Sequence, residues 1–141
     1  MFRHLFAGLI VLMSGGCATY QPVPADYVGP TATLADSAKS EDSTKAQMFV
    51  VLEIDGNAIK HSIGATAQSN YGRGFSVGTT VIERAVQARP LKLKLRATHV
   101  TGAPIHQLFS QAAGTFFSVE GIVDFVPVSG KRYVVAGELK R

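Results

Sequence analysis

The sequence predicts a mainly β fold, namely an antiparallel β-sandwich or small barrel of about six or seven strands with at most one short helix. Two observations lead to this prediction. Segments in which apolar and polar residues alternate recur along the chain, and dipeptides typical of tight turns separate them. When the predicted removable leader is subtracted from the 141 residues, the remaining chain is long enough for one domain with a modest core and too short for two.

The first predicted elements are a short strand and a central hairpin. The short strand covers Thr31 to Asp36, and the polar stretch Ser37 to Lys45 is expected to form an exposed loop. Met48 to Ile54 is nearly all apolar and rich in β-branched residues, which indicates a strand covered on both faces. Asp55-Gly56 supplies a turn that leads into a second strand, Ala58 to Ile63.

The strongest periodic segment runs from Leu91 to Val100, where leucines alternate with cations, and it predicts a half-buried strand. Thr79 to Val86 is expected to form another strand before it. Only the segment after Pro104 shows helical spacing, so one short helix is predicted there. Val119 to Phe125 alternates again, and a Ser-Gly turn leads from it to Arg132 to Leu139, which predicts a closing hairpin.

The amino-terminal end has the layout of a removable signal peptide. A cation, an apolar stretch and three small residues precede Cys17, which is the only cysteine in the chain. The apolar stretch is shorter than the roughly 20 residues that a helix needs to cross a bilayer. We therefore predict a signal peptide over 1–16, a lipidated cysteine and flexible tether over 17–30, and one domain over 31–141. The proline-rich tether is expected to extend up to about 40 Å.

The residues that precede Cys17 resemble the lipobox of bacterial lipoproteins, in which small residues come before a cysteine that becomes acylated. The resemblance implies that Cys17 carries several acyl chains, and more than one chain is needed for stable anchoring. It also implies, because Ala18 follows, sorting to the outer membrane, on its periplasmic side. Ser14 stands where the family usually has Leu, which leaves open an ordinary cleavage after Ala18.

Six motifs along the domain are similar to those of small uncharacterised lipoproteins of proteobacteria. They are Tyr27-x-Gly29-Pro30, Ile54-Asp55-Gly56, Asn70-x-Gly72-Arg73-Gly74-Phe75, Ala103-Pro104-Ile105, Gly121-x-Val123-x-Phe125 and Gly130-x-x-Tyr133-x-Val135-x-Gly137-x-Leu139. The resemblance spans nearly the whole mature chain. Since the motifs are mostly turn and strand signatures, it implies a short β-sandwich envelope domain and no catalytic residue.

One pattern typical of enzymes is present but incomplete. Gly74-Phe75-Ser76-Val77-Gly78 matches the Gly-x-Ser-x-Gly nucleophile elbow, yet a hydrolase needs the order Ser, acid, His, and no His follows Asp124. We therefore expect no enzymatic activity and interpret the segment as a flexible glycine-rich loop. The same loop lacks the ending of a phosphate-binding loop, so no nucleotide cofactor is expected.

No metal site is expected, because the three histidines of the domain are far apart in sequence and lack ligand spacing. His99 is interpreted as a partly buried histidine whose ring nitrogens are hydrogen-bonded. Phe109, Phe116 and Phe117 are expected to close one end of the core, and the alternative is a protein-docking edge.

Lys92, Lys94 and Arg96 are expected to project from one side of a single strand, within about 13 Å. Such a row is a candidate face for an anionic envelope component or an acidic protein, and the alternative is a solvated strand face. The formal net charge of +4 is mild for a nucleic-acid-binding protein, so no nucleic acid is expected as a partner.

Together these observations predict a lipid-anchored outer-membrane lipoprotein that acts as a binding or structural module in the cell envelope. Its expected partners are the membrane, through lipidated Cys17, and an envelope protein or anionic envelope component. Two alternatives stay open. One is an envelope hydrolase or transferase that uses Ser76 with a histidine, and the other is a soluble periplasmic ligand-binding domain.

Overall fold

Eight strands and two helices follow one another in the residues that the structure, a computed structural model, describes, 19–140. The elements are β1 (Thr31–Ala35), β2 (Ser37–Ser40), β3 (Lys45–Ile54), β4 (Asn57–Ala58), α1 (Ser62–Asn70), β5 (Glu83–Gln87), β6 (Leu91–Thr101), α2 (Pro104–Ala112), β7 (Ser118–Phe125) and β8 (Arg132–Val134). The prediction of a mainly β chain is therefore confirmed.

The strands form two separate sheets, and neither sheet closes into a barrel within the described residues. The smaller sheet has the order β5-β1-β8, and the larger sheet has the order β2-β3-β6-β7, with β4 paired to β3. All pairs are antiparallel except β1 with β8, which is parallel. The expected antiparallel arrangement is thus wrong for this one pair.

The hydrophobic core contains side chains from both sheets. Leu34 of β1, Val86 of β5, Val51 of β3 and Leu93 of β6 are all at most 2% exposed and belong to one cluster. On β6, Leu91 and Leu93 are buried while Lys92 between them is exposed, which confirms the predicted half-buried strand. Alternation therefore identifies the face of β6 that points toward the core.

β3 is buried on both faces, as predicted, because a second layer covers the side that faces away from the core cluster. Met48 and Val50 are fully buried, and they lie opposite Thr98 and Arg96 in the register with β6. Helix α1 contacts β3. The helix packs on the outer face of the larger sheet, and a groove forms beside it on that face.

The second strand predicted for the central hairpin, Ala58 to Ile63, does not form over this range, because helix α1 begins at Ser62. The turn itself is as predicted, with positive φ at Asp55 and Gly56, but the paired arm β4 has only two residues. The chain then enters α1, so the described residues contain two helices where at most one was expected. Polar contacts start the helix, since the His61 ring accepts a hydrogen bond from the Gly64 N–H.

Three further boundaries differ from the predictions. The polar stretch after β1 is not all loop, because its first residues form β2. The strand expected from Thr79 begins only at Glu83, since Thr80 N–H donates to Thr66 Oγ1 of α1 instead of to a sheet. The prediction of a closing hairpin is wrong, because β8 pairs with β1 in the smaller sheet while β7 lies at the edge of the larger sheet. The predicted helix after Pro104 is confirmed as α2.

The segment predicted as a tether contacts the domain at two points. Tyr20 packs against the core cluster, and the Pro30 carbonyl accepts a hydrogen bond from the Ala88 N–H at 2.9 Å. The predicted signal peptide over 1–16 and Cys17 lie outside the described residues. Within residues 19–140, no helix is both long enough and apolar enough to cross a membrane.

Candidate functional site

An open groove lies between α1 and the start of α2, over the end of β6. Its volume is about 630 Å³. Ile63 and Ala67 of α1 form one apolar wall, Phe116 and Pro104 contribute to the other side, and Arg96 and Thr98 of β6 lie at the floor. A concave site that is largely apolar, with few polar groups, is the usual form of a ligand site.

The groove depends on a polar cluster that holds the start of α1. Asp36, which directly follows β1, is 1% exposed, and its carboxylate accepts hydrogen bonds from Ser62 N–H at 2.9 Å and Ser62 Oγ at 2.7 Å. It also accepts one from the Val51 N–H at 3.1 Å. Arg84 of β5 donates twice to the same carboxylate, at 2.9 Å from each terminal nitrogen. The cluster therefore ties α1 to β1, β3 and β5.

The glycine-rich loop after α1 is fixed by hydrogen bonds rather than free. Asn70 Nδ2 donates to the Gly78 carbonyl at 2.6 Å, and Gly78 N–H donates back to Asn70 Oδ1 at 2.8 Å. Gly72 and Gly74 have φ of +78° and +77°, a conformation that favours glycine. Close approach adds a second constraint, because a Cβ on Gly102 would lie 2.0 Å from the Phe75 carbonyl oxygen.

The arrangement that a Ser76 hydrolase needs is not among the described residues. Within 19–140, Ser76 makes no hydrogen bond to His61, His99 or His106. His61 caps α1, and His106 lies beside the Phe75 ring, with centroids 5.3 Å apart. No group of His, Cys, Asp and Glu side chains in the described part of the chain is arranged to hold a metal ion.

His99 has both ring nitrogens engaged, as the sequence interpretation expected, and it is more buried than expected, at 3% exposed. Its Nδ1 accepts a hydrogen bond from the Phe117 N–H at 2.9 Å, so Nε2 carries the proton that it shares with Glu41 Oε1 at 2.9 Å. The rings of Phe116 and Phe117 lie 5.8 and 5.7 Å from the imidazole. Phe109 on α2 is 68% exposed and contributes no closure of the core.

Glu41 is the acidic partner in this second cluster. Its partial burial raises the pKa of its carboxyl, but hydrogen bonds from Gln47, His99 and Lys45 together lower it below the ordinary value of 4.5. The contacts are Gln47 Nε2 at 2.6 Å and Lys45 Nζ at 3.2 Å. Glu41 therefore remains ionised at neutral pH, with its oxygens occupied by neighbours.

The three cations of the predicted basic row do project from one face of β6, since they occupy alternate positions in the register with β7. The structure places carboxylates beside all of them. Lys92 Nζ lies 2.9 Å from Asp124, and Arg96 Nε lies 3.7 Å from Glu120. Lys94 Nζ lies 3.2 Å from Glu53 and 3.5 Å from Glu120, and the hydrogen bond to Glu53 raises the pKa of Lys94 most.

The sequence interpretation missed two features of this region. The first is α1, for which the signal was a lack of alternation over Ser62 to Asn70 together with two alanines and a glutamine. The second is the Asp36–Arg84 pair, whose members are separated by 48 positions and carry no local pattern that marks them. Cys17 lies outside the described residues, so the geometry of the groove does not include it.

Comparison with known proteins finds no family model that matches the chain, and no curated protein and no solved structure that is significantly similar to it.

Proposed function

We propose that this protein is a lipid-anchored lipoprotein of the bacterial outer membrane, a β-sandwich that acts as a non-enzymatic binding module in the cell envelope. The observation that carries the binding role is the open groove between α1 and α2. Its lining includes the apolar side chains of Ile63, Ala67 and Phe116, and a buried polar cluster fixes one of the two helices that form it. Such a preformed site binds a ligand without ordering new structure.

The side chains around the groove support binding more than catalysis. His99 has both ring nitrogens hydrogen-bonded, and its ring contacts the rings of Phe116 and Phe117. Arg96 is the charged group at the floor, and its side chain is 38% exposed. Its Nε donates to Ser118 Oγ at 3.2 Å and lies 3.7 Å from Glu120, which leaves the two terminal nitrogens as donors for a ligand.

The ligand class that suits this lining is an apolar or aromatic group that carries an anion. The apolar part would contact Ile63, Ala67 and Phe116, and the anion would meet Arg96. Anionic components with apolar parts are present in every bacterial envelope, as lipids and as protein segments. The sequence predicted that Lys92, Lys94 and Arg96 together face an anionic partner. The proposed site assigns contact with the anion to Arg96 alone.

The anchor rests on the sequence before Cys17, with its leader and its small residues. A mass spectrum of the mature protein, compared with that of Cys17→Ser, tests it directly. We expect a chain that begins at an acylated Cys17. An unmodified chain that begins at Thr19 would contradict the anchor and would favour a soluble periplasmic ligand-binding domain with the same groove.

The groove is tested with a photo-reactive amino acid at Tyr71, which is 92% exposed and lines the groove. We expect crosslinking in intact cells to a specific envelope component. Ala67→Trp, which fills the groove, should reduce that product several-fold. Gln68→Trp is the matched control, because Gln68 is the next residue of α1 and does not line the groove. Equal crosslinking in both variants would overturn the binding role.

A further inference from the structure

Three exposed valines belong to segments that meet at one end of the domain. Val28 is 99% exposed, Val126 is 66% exposed and Val128 is 59% exposed. They belong to two segments, the tether and the connection after β7, which backbone hydrogen bonds bring to the same end. Ala88 N–H donates to the Pro30 carbonyl, and Gly130 N–H donates to the Thr31 carbonyl. We call this surface the valine end, and it lies where β6 begins, because Phe125 is opposite Leu91 in the register.

The charged groups beside the valine end are balanced. Arg89 pairs with Asp55 at 2.8 Å, and Lys92 pairs with Asp124 at 2.9 Å. Each pair joins one cation to one anion, and the other charges in these segments, Asp26 and Lys131, are of opposite sign, so the end has no strong net charge. An exposed apolar surface with a rim of paired charges is suited to an apolar partner and not to an anionic one.

The place of Tyr20 connects this end to the anchor. Tyr20 belongs to the tether and packs against the core cluster. The tether meets the domain at the valine end, where the Pro30 carbonyl accepts a hydrogen bond from the Ala88 N–H at 2.9 Å. Only three peptide steps separate Tyr20 from Cys17, which is a chain length of at most about 11 Å. An acyl-linked Cys17 is therefore joined to the domain at this end, through a tether whose Tyr20 is held on the core cluster.

We propose that the valine end rests on the bilayer interface and inserts Val28, Val126 and Val128 among the lipid headgroups and upper acyl chains. This inference rests on the proposed acylation of Cys17. The occupant is the membrane that holds the anchor, because the anchor lies within reach of this end and keeps it beside the bilayer. Apolar side chains at this depth add contact area to an anchored protein.

The orientation has a consequence for the groove. β6 runs from Leu91 at the valine end to the groove, which it lines from Arg96 to Thr101, at about 17–33 Å from Leu91 along an extended strand. With the valine end on the bilayer, the groove points away from the membrane. The protein then presents its binding site to the periplasm at a height set by one strand rather than by a flexible tether.

The test uses the fact that the chain has one cysteine. Once Cys17 is acylated, an introduced cysteine is the only free thiol and can carry a fluorophore at one position. The variants are Val126→Cys, Val128→Cys and, as the matched control, Leu108→Cys on α2, which is 64% exposed and apolar. Each purified, acylated variant is placed in phosphatidylcholine vesicles that contain lipids with a quencher on the acyl chain.

We expect quenching at both valine positions to exceed that at Leu108 several-fold. Because the ion pairs at the valine end are balanced, adding phosphatidylglycerol should leave this ratio unchanged. Equal quenching at all three positions, in a protein whose mass shows the acyl chains, would overturn the inference and leave the anchor intact. A mass that shows no acyl chains on Cys17 would overturn both this inference and the anchor, and it would leave the groove to its own test.

Discussion

Two regions contain ion pairs of similar length that differ in their exposure to water. One is the buried pair Asp36–Arg84, and the other is the exposed row of Lys92, Lys94 and Arg96. Arg84 and Lys92 each lie 2.9 Å from their carboxylates. The side chains of Asp36 and Arg84 are 0% and 9% exposed, whereas those of Asp124 and Lys92 are 81% and 69% exposed. Distance alone therefore does not identify the interaction that stabilises the fold, since water screens the second pair.

The two regions also differ in how many segments they connect. The Asp36 carboxylate accepts hydrogen bonds from β3, from the start of α1 and from β5. The row on β6 joins only neighbouring strands that backbone hydrogen bonds already hold together. Removal of Asp36 should loosen several elements at once, whereas removal of the row should leave the backbone in place.

The largest effect is expected for Asp36→Ala. It leaves the Arg84 guanidinium and the Ser62 hydroxyl buried without their partner, and removing one member of a buried pair costs about 3–5 kcal/mol. The free energy of unfolding, measured by urea denaturation, should fall by that amount. Asp26→Ala is the control, because Asp26 is exposed and its loss should have no measurable effect.

If Asp36→Ala fails to fold, Asp36→Asn provides the same comparison. It keeps the shape of the side chain and loses its charge, so we expect a smaller fall in the free energy of unfolding that still exceeds about 1 kcal/mol. A fall no larger than that of the Asp26 control would show that the buried pair is not what holds α1 in place.

A smaller effect is expected when Lys92, Lys94 and Arg96 are all replaced by Ser. Pairs of this kind contribute little because water and salt screen them, so the melting temperature should fall by at most about 3 °C. Added NaCl should reduce the difference from wild type, while the Asp36→Ala difference should persist. A fall as large as that of Asp36→Ala would contradict the distinction between the regions.

The same triple variant tests the row as a binding face. If the row recognises an anionic partner, binding to envelope fractions should be lost together with the three cations. Restoring Arg96 alone should recover binding if the groove is the site, because Arg96 is the one member of the row that lines it. Unchanged binding in the triple variant would remove an anionic role for the row and for Arg96.

The smallest effect is expected from His61. The pKa of its imidazole responds to charges of both regions, namely Asp36 and Arg84 of the buried pair and Arg96 of the exposed row. Burial lowers the pKa of its imidazole from 6.5, Asp36 raises it, and Arg84 and Arg96 lower it further. Because the folded protein binds this proton less readily than the unfolded chain, the stability from His61 is complete above about pH 6.5. It is lost as the pH falls through the lower pKa of the folded state.

The expected loss is about 1–2 °C in melting temperature between pH 7 and pH 5.5. His61→Asn should abolish this part of the pH dependence, since Asn also caps a helix but does not titrate. Thermal unfolding at several pH values gives the slope for both proteins. The same slope in His61→Asn as in wild type would exclude His61 as its source.

Much of the fold could be predicted from local patterns. The alternation of leucines with cations identified β6, and the turn at Asp55-Gly56 and the helix after Pro104 were also found where expected. These features depend on residues that are close together in sequence. The position of β8 in a sheet could not be predicted. Its pairing with β1 depends on contacts between segments about a hundred residues apart, and a local pattern carries no information about such contacts.

The groove was beyond prediction for the same physical reason. It needs α1, whose buried residues Ser62 and Thr66 are polar and so produce no apolar stripe. The helix is held by hydrogen bonds to Asp36 and to Thr80, and neither partner is marked in the sequence. Of the candidate site residues, the sequence placed Lys92, Lys94 and Arg96 on one face but not the carboxylates beside them.

The parallel pairing of β1 with β8 has a consequence for how the chain folds. Thr33 is opposite Arg132, and Ser37 Oγ donates to the Val135 carbonyl across 98 positions of sequence. A chain that emerges amino-terminus first therefore exposes one edge of β1 until nearly all of the domain has appeared. Contacts of such long range form slowly, and open strand edges aggregate. The time between the appearance of β1 and that of β8 is thus the interval in which this protein depends most on protection by chaperones.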